Sequence, residues 1–224
     1  MNWRSSIKKI LLKHGVKEPF FGVKVEFLKT IQKKIKKDYQ LAKDLYATGN
    51  ADAMYLAGLI ADDEKMTKAD LQTWVKQARS QNICDYTVPW VATGSRHGFE
   101  LAMEWIDAGQ EQIASAGWAT LSGLVSVKPD NELDIPALKA LLARVGKTIH
   151  AADNRVRYSM NGFIISVGAY VMALTNDAIA ISKKIGVVTV DMNGTACKVP
   201  NAEEYIMKIK ARGSLGKKKK TVKC

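Results

Sequence analysis

The chain has 224 residues, of which 47% are apolar and 25% are charged, and its formal net charge is +12. These are ordinary globular proportions, and a chain of this length can bury a core without disulfides or metal ions. No apolar run approaches the roughly 20 residues that a membrane span needs. Three widely spaced cysteines without a CxxC motif argue against a disulfide framework or a zinc cluster. We therefore expect a soluble cytoplasmic monomer without a metal or cofactor.

The positive charge is concentrated at the two ends of the chain. Residues 1–37 carry a formal charge of +9 and residues 205–224 carry +8, which leaves −5 for the middle. Such asymmetry indicates a polyanionic partner, namely DNA, RNA or an anionic membrane. The alternative is a solvated, lysine-rich surface with no partner.

Helical periodicity dominates from the N-terminus onward. Ile7, Ile10 and Leu11 share one face of a first helix, and a loop rich in proline and glycine follows over residues 15–23. The next helix has an apolar face and an opposite face of lysines, which is typical of an amphipathic basic helix. Lysines at this spacing can follow a phosphate backbone. Those that we expect to contact DNA are Lys33, Lys36 and Lys37.

Short helices separated by capping residues fill the middle of the chain. Asp38, Asn50 and the pair Thr67 and Asp70 predict three helix starts. Asn82 opens a fourth helix, which Pro89 is expected to strain or kink. Later helices are predicted over 97–108, 110–127, 134–149, 154–174 and 176–185. Helix pairs recur at about 30–40 residues without a strict repeat. The pattern favours an all-α array of stacked helix pairs, and a compact irregular bundle is the competing fold.

The C-terminal region differs from the rest. Residues 186–199 are rich in valine and threonine, and Asn193–Gly194 between apolar alternations indicates a β-hairpin or an extended segment. A last short helix is predicted over 201–211. We divide the chain into a helical domain over 1–185, a small hairpin with a helix packed on it over 186–212, and a basic flexible tail over 213–224.

Candidate phosphate contacts lie in two further places. Arg155 and Arg157 stand at the start of a long helix, where free N–H groups and guanidinium donors can together hold a phosphate. The alternative is that these arginines pair with Asp153 or with Glu side chains. The tail offers a non-specific hook for polyanions, or else a solubility feature, through Lys217, Lys218, Lys219 and Lys220.

Motifs for catalysis are few. The chain has no P-loop, dinucleotide fingerprint or metalloprotease motif, and its three histidines lie far apart. Asp85 is unusual because its neighbours are mostly apolar, and a carboxylate in such surroundings can stabilise a developing cation. Some aromatic residues recur near helix starts and turns, where rings can pack beside exposed bases. They are Trp74, Trp90, Trp105, Trp118, Tyr158 and Phe163.

Three segments together resemble the DNA alkylation repair family. They are EPFFGVKVEFLKTIQKKIKKDYQLAKDLYATGNADAMYLAGLIAD, ICDYTVPWVA and GWATLSGLV, and the resemblance covers most of residues 15–185. It implies a HEAT-like repeat array, an α-solenoid with a concave surface, which ends here in a short hairpin or extended segment. It also implies binding of double-stranded DNA, alkylated or distorted, and hydrolytic release of purines alkylated at N3 or N7.

The family pattern is only partly present. Active members carry a Trp four residues before an Asp; Asp85 matches the Asp, but Gln81 stands in place of the Trp. A later Trp is followed three residues on by an Arg; Trp118 matches the former, but Leu121 replaces the latter, and Phe163 aligns with a further Trp. We therefore expect Trp118 and Phe163 to touch DNA and Asp85 to be the residual catalytic residue. The two hypotheses are a DNA-binding protein with weakened, altered or absent glycosylase activity, and a non-enzymatic scaffold for DNA structures or a protein partner.

Overall fold

The structure, a computed structural model, describes the backbone of residues 3–223 and the side chains of residues 7–223. Within these residues the regular structure is helical throughout. The α-helices are α1 (Trp3–Lys13), α2 (Val25–Ile35), α3 (Tyr39–Ala47), α4 (Ala51–Ile60), α5 (Lys68–Gln77), α6 (Val88–Gly94), α7 (Gly98–Trp105), α8 (Glu111–Val127), α9 (Ile135–Thr148), α10 (Asn154–Tyr170), α11 (Thr175–Ile185) and α12 (Ala202–Ala211).

Consecutive helices form antiparallel pairs that stack on one another. Helix α3 packs on α4, α5 on α6, α7 on α8 and α9 on α10. The second helices of the pairs also contact one another in order, so that α4, α6, α8 and α10 form one inner row. The array of stacked helix pairs expected from the sequence is thereby confirmed, and the irregular bundle is wrong.

Two apolar cores hold the array together. The N-terminal core contains a face-to-face stack of Tyr46 on Trp74, whose ring centroids lie 3.9 Å apart. The C-terminal core lies between α8, α9, α10 and α11, and it includes Trp118 and Phe163. Helix α8 joins the two cores, since it contributes Ala116 to the first and Trp118 to the second.

Side-chain caps begin several helices where the sequence predicted them. Asp38 accepts a hydrogen bond from the Leu41 amide, and Asn50 caps α4 in the same way. Thr67 and Asp70 form a complete capping box at the start of α5. These local rules work because each needs only residues that are neighbours in the chain.

A π-helical turn over Ile83–Thr87 leads into α6. Proline has no N–H group, so Pro89 cannot donate to the carbonyl four residues earlier, which belongs to Asp85. The chain adopts the wider turn instead, and the Val88 amide donates to the Ile83 carbonyl five residues before it. Helical π-turns are frequent at functional sites, and this one places Asp85 in the inner row.

The segment over residues 186–201 is extended and lacks the strand pairing of a hairpin. The predicted tight turn is present: Asn193 and Gly194 both have positive φ, and the Thr195 amide donates to the Met192 carbonyl at 3.0 Å. The flanking backbone is bound elsewhere, because the Asn154 side chain both donates to the Asp191 carbonyl and accepts from its amide. The extended alternative is therefore correct and the hairpin is wrong.

The last residues do not form the free tail that the sequence predicts. Residues 213–223, the C-terminal strap, run back across the inner row. The Gly216 amide donates to the Ala169 carbonyl of α10, and the Lys219 amide donates to the Ser126 carbonyl of α8. Further along, Lys223 Nζ donates to the Ala61 carbonyl, just beyond α4. The prediction failed because these bonds join the strap to carbonyls distant in sequence, which composition does not show.

Membrane-span criteria are not met by any single helix of residues 3–223. Helix α10 and the segment Met172–Ile185 reach the required length and apolarity together, but they are bent by 115° at the break between them.

Candidate nucleic-acid interface

A groove runs along the inner row and consists of two cavities. The first, the amide cavity, has a volume of about 250 Å³ and is lined at one end by Lys17 and Arg79. Its amide side chains are Gln81, Gln112, Asn154 and Asn193. The second, the aromatic cavity, has a volume of about 330 Å³. Its rings are Tyr86, Trp90 and Tyr158. The two cavities meet at Asp85, and together they are called the central groove here.

Asp85 forms a buried ion pair with Arg155 across the middle of the groove. The side chains are only 6% and 15% exposed, respectively. The other carboxylate oxygen of Asp85 accepts a hydrogen bond from Ser115 Oγ at 2.8 Å. Since the single hydroxyl proton of Ser115 is used in this way, the neighbouring Ser159 hydroxyl, 2.7 Å away, donates to Ser115. Both oxygens of the carboxylate thus have partners within the protein.

Arg155 has partners on its remaining sides as well. The Gln81 side-chain amide is oriented so that its hydrogen bonds are satisfied. Its oxygen then accepts a hydrogen bond from Nη1 of the Arg155 guanidinium at 2.6 Å. The guanidinium carbon lies 4.5 Å from the centre of the Tyr158 ring, a cation–π contact. Met192 Sδ, from the extended segment, lies 3.9 Å from Nη1. The alternative considered from the sequence, pairing with Asp153 or a Glu side chain, is thus only partly right: Arg155 does pair with an acid, but that acid is Asp85.

The charge on Asp85 depends on Arg155. Burial raises the pKa of the Asp85 carboxyl above its ordinary value, and the Arg155 guanidinium with the Ser115 hydrogen bond opposes that rise. A buried carboxylate without such a partner takes up a proton rather than remain charged. The pair therefore acts as a neutral unit at the centre of the groove.

The start of α10 does not offer an open anion site. Glu111 Oε1 accepts a hydrogen bond from the Arg155 amide at 2.7 Å, so that a carboxylate already occupies the position where a phosphate would bind. Arg157 is half-buried, and its Nη2 lies 3.5 Å from Asn154 Oδ1. The predicted phosphate site at this helix start is corrected accordingly.

Trp118 and Phe163 belong to the core rather than to the groove. Both are fully buried, and their ring centroids lie 5.2 Å apart. A ring with no exposed surface cannot stack on a base, so the expectation that these two residues contact DNA is corrected. The aromatic residues at the groove are Tyr86, Trp90 and Tyr158.

The basic residues of the two chain ends meet beyond the aromatic cavity. Lys37, just after α2, lies 3.7 Å from Asp62 and shares a cavity of about 220 Å³ with Lys220 and Lys223. Lys33 and Lys36 are exposed at the end of α2. In the strap, Lys217, Lys219 and Lys220 are exposed, whereas Lys218 is bound to Asp130 at 2.8 Å. Basic side chains thus stand at both ends of the central groove.

Within residues 7–223, no group of three or more His, Cys, Asp or Glu side chains is placed so that it could hold a metal ion.

The comparisons with known proteins agree with this geometry. The family model described as DNA alkylation repair enzyme matches residues 5–193. The chain belongs to the DNA alkylation repair enzyme family. It is 32% identical over 209 residues to the uncharacterized protein Lin0241 of Listeria innocua, and 31% identical over 209 residues to Lmo0209 of Listeria monocytogenes. Each alignment covers 91% of this chain and 90% of the relative.

A solved structure is also similar. It is described as belonging to a new family of proteins related to the HEAT-like repeat DNA glycosylases with affinity for branched DNA structures. The TM-score is 0.90 at 37% identity, and the match covers 98% of this chain and 94% of the other. The HEAT-like repeat fold expected from the sequence is confirmed.

The position of Gln81 explains one departure from the family pattern. Where active members of the family are expected to have a Trp, this chain has an amide whose oxygen accepts from Arg155. The Gln at this position therefore stabilises the arginine of the ion pair at the centre of the groove. Leu121, which stands where the family pattern has an Arg, is fully buried in the core. The residues of α8 that face the aromatic cavity are instead small: Ala119, Ser122, Gly123 and Ser126.

The partners of Asp85 are not apparent from the sequence, although the sequence marks Arg155 as a candidate phosphate contact. Ser115 and Ser159 are ordinary helix residues, and Arg155 lies 70 positions after Asp85. The one available signal is the run of small residues along α8 and α10, which leaves room for a groove between aromatic side chains. A pattern of small residues is not specific, and it also occurs wherever two helices pack closely.

Proposed function

We propose that this member of the DNA alkylation repair family binds DNA, with a preference for branched over plain duplex DNA, and does not excise bases. The observation that carries this proposal is the ion pair of Asp85 with Arg155. Excision in this family is expected to require a carboxylate that faces the cationic sugar formed as the base leaves. Here the carboxylate is compensated by a guanidinium of the same chain before any DNA is bound.

Phosphate contacts supply the affinity in this proposal. Lys17 and Arg79 stand at the end of the amide cavity, and Lys37 and Lys220 stand beyond the aromatic cavity. Each phosphate that such a cation neutralises releases counterions, which makes the binding strong at low salt and weak at high salt. The affinity for branched DNA that is named for the similar solved structure supports the choice of branched DNA.

The test is a binding titration with a four-way junction and a duplex of the same sequence, at several salt concentrations. We expect tighter binding of the junction and a steep fall of log K with log salt for both. A slope near zero would contradict the phosphate contacts, and equal affinity for both would contradict the preference. Size-exclusion chromatography with light scattering tests whether the protein binds as a monomer.

Lys37→Gln and Lys33→Gln form a matched pair in the same titration. Each removes one charge from an exposed side chain at or just after the end of α2, but of the two it is Lys37 that lines the cavity next to the strap. We expect Lys37→Gln to lower the salt slope by about 1 and to weaken all DNA sequences alike. A loss that depends on base sequence would contradict a phosphate contact at this position.

Base excision is the second candidate, because Asp85 also lines the aromatic cavity beside Tyr86, Trp90 and Tyr158. Such rings are suited to a cationic alkylated base. The test is to incubate the protein with methylated DNA and to measure release of N7-methylguanine and N3-methyladenine. We expect no release above the rate without protein. Release by the wild type that Asp85→Asn abolishes would establish excision and overturn the part of the proposal that denies it.

A further inference from the structure

The C-terminal strap crosses the inner helices at one consistent place, their C-terminal ends. Its Gly216 amide bonds to Ala169, in the last turn of α10. Its Lys218 side chain and Lys219 amide bond to the carbonyls of Val125 and Ser126, in the last turn of α8. The last-turn carbonyls of a helix lack partners within the helix, so the strap supplies donors that these ends need.

The strap also changes the charge of this edge. Helix C-termini carry a partial negative charge, and an edge formed by the ends of several parallel helices would repel a phosphate backbone. The side chains of Lys218 and Lys223 lie at that edge. Lys218 pairs with Asp130, and Lys223 pairs with Asp63 at 2.7 Å. Their side chains are 19% and 14% exposed, which makes them anchors rather than surface charges.

The strap has three further lysines. Lys217, Lys219 and Lys220 are exposed. Lys219 also lines the aromatic cavity, with its Nζ 5.4 Å from the centre of the Tyr170 ring, and Lys220 lines the cavity that contains Lys37. The strap therefore has two sets of lysines, one that attaches it to the protein and one that it presents beside the groove.

We propose that the docked strap is a phosphate-binding edge of the groove: its anchors hold it on the helix ends, and its exposed lysines contact the sugar–phosphate backbone of one DNA strand while the strap stays docked. This inference rests on the DNA binding proposed above. It differs from a mobile basic hook because the fixed position of the lysines, and not merely their number, determines the affinity.

Two variants separate position from charge. Gly216→Val keeps every lysine and is designed to weaken docking, because Gly216 has a φ of 73°, which a β-branched residue adopts only at a cost. A Cβ at this position would also lie 2.8 Å from Met172 Cγ. Lys217→Gln/Lys220→Gln removes two exposed charges and leaves the anchors in place. Docking is read from the hydrogen exchange of the Gly216 and Lys219 amides, and binding from the salt titration with the junction.

We expect the double glutamine variant to retain amide protection and to lose about 2 from the salt slope. Gly216→Val should lose amide protection and lose at least as much of the slope, although its charge is unchanged. Thermal unfolding checks that both variants remain folded. We expect them to do so because the strap lies outside the helices that form the two cores.

Three results would overturn the proposal. The first is wild-type affinity in Gly216→Val despite lost protection, which would make the strap a mobile hook. The second is tighter binding by that variant, which would make the strap a cover over the groove. The third is loss of amide protection when DNA is added to the wild type. If the wild type shows no salt-dependent binding at all, the proposed function itself fails, and the amide exchange still reports whether the strap is docked.

Discussion

Two buried ion pairs lie along the groove, and they differ in the number of further hydrogen-bond partners that each pair has. Asp85 and Arg155 join residues 70 positions apart at the centre, and Asp63 and Lys223 join residues 160 positions apart at one end. The carboxylate of Asp85 also accepts from Ser115, and its partner is a planar guanidinium with further contacts to Gln81. The partner of Asp63 is the ammonium group of Lys223. Burial raises the pKa of Asp63 to about 6, although the Lys223 charge acts to lower it.

The difference in the number of partners indicates that the centre is held more firmly than the end. Removing one partner of a fully hydrogen-bonded buried pair leaves an uncompensated charge inside the protein. At the end of the groove, protonation of Asp63 removes the ion pair without any change in sequence, and Lys223, which it releases, belongs to the strap. We therefore expect mutations at the centre to affect the whole fold and changes at the end to affect mainly the strap.

Arg155→Met should have the largest effect. It leaves the Asp85 carboxylate buried without its cation, and we expect a loss of about 3–5 kcal/mol in the free energy of unfolding, measured by urea denaturation at pH 7. The double variant Asp85→Asn/Arg155→Met removes both charges and should recover most of that loss. A loss below about 1 kcal/mol in the single variant would contradict the burial of the pair.

The second prediction concerns pH at the other pair. Because the pKa of Asp63 is raised to about 6 in the folded protein, its titration contributes stability that is present below its unfolded pKa of about 3.8 and is lost as the pH rises through 6. The stability of the wild type relative to Asp63→Asn should therefore fall by up to about 3 kcal/mol between pH 4 and pH 7. Urea titrations at several pH values measure the difference.

Lys223→Gln is the control for that measurement. The Lys223 charge opposes protonation of Asp63, so its removal should move the pH-dependent change to higher pH. If the change stays at the same pH, Lys223 does not interact with Asp63 in solution, and the end of the strap is not attached there.

Asp70 sharpens the comparison because its pKa changes in the opposite direction. Burial favours its protonated form, but hydrogen bonds from Lys43, Thr67 and Tyr39 outweigh burial and lower the pKa to about 2. Its contribution to stability is present above about pH 4 and is lost as the pH falls towards 2. We expect Asp70→Asn to lower the free energy of unfolding by about 1–2 kcal/mol at pH 7. This deficit should shrink below pH 4; a deficit that stays constant would assign the effect to the capping box alone.

Features that depend on neighbouring residues were predictable from the sequence, and features that depend on distant ones were not. The capping box of Thr67 and the tight turn at Asn193–Gly194 follow from adjacent residues, and both are present. The partner of Asp85 and the docking of the strap follow from the stacking of the helix pairs, which no local pattern encodes. The family resemblance led to Trp118, which lies on the buried face of α8. The groove lies on the other face, which carries small residues.

The turn at Asn193–Gly194 provides the smallest expected effect and the closest test of the central pair. Gly194 has a φ of 67°, and a methyl group added at its Cα would meet no atom within 4 Å, so Gly194→Ala introduces backbone strain without a steric clash. We expect a loss of about 1 kcal/mol in the free energy of unfolding. Gly109→Ala is the matched control, because Gly109 is equally open but does not have a positive φ.

The coupling energy between Asp85 and Arg155, from a double-mutant cycle, should be the same in Gly194→Ala as in the wild type. The reason is that Asp85 and the Gln81 amide hold the guanidinium directly, whereas the extended segment contacts it through Met192 Sδ at 3.9 Å. A thioether is a weak acceptor, so strain in the turn should change little at Arg155. A coupling energy that changes with the turn would mean that the extended segment helps to hold Arg155, and the centre of the groove would be less independent of the C-terminal region than the comparison of the two ion pairs suggests.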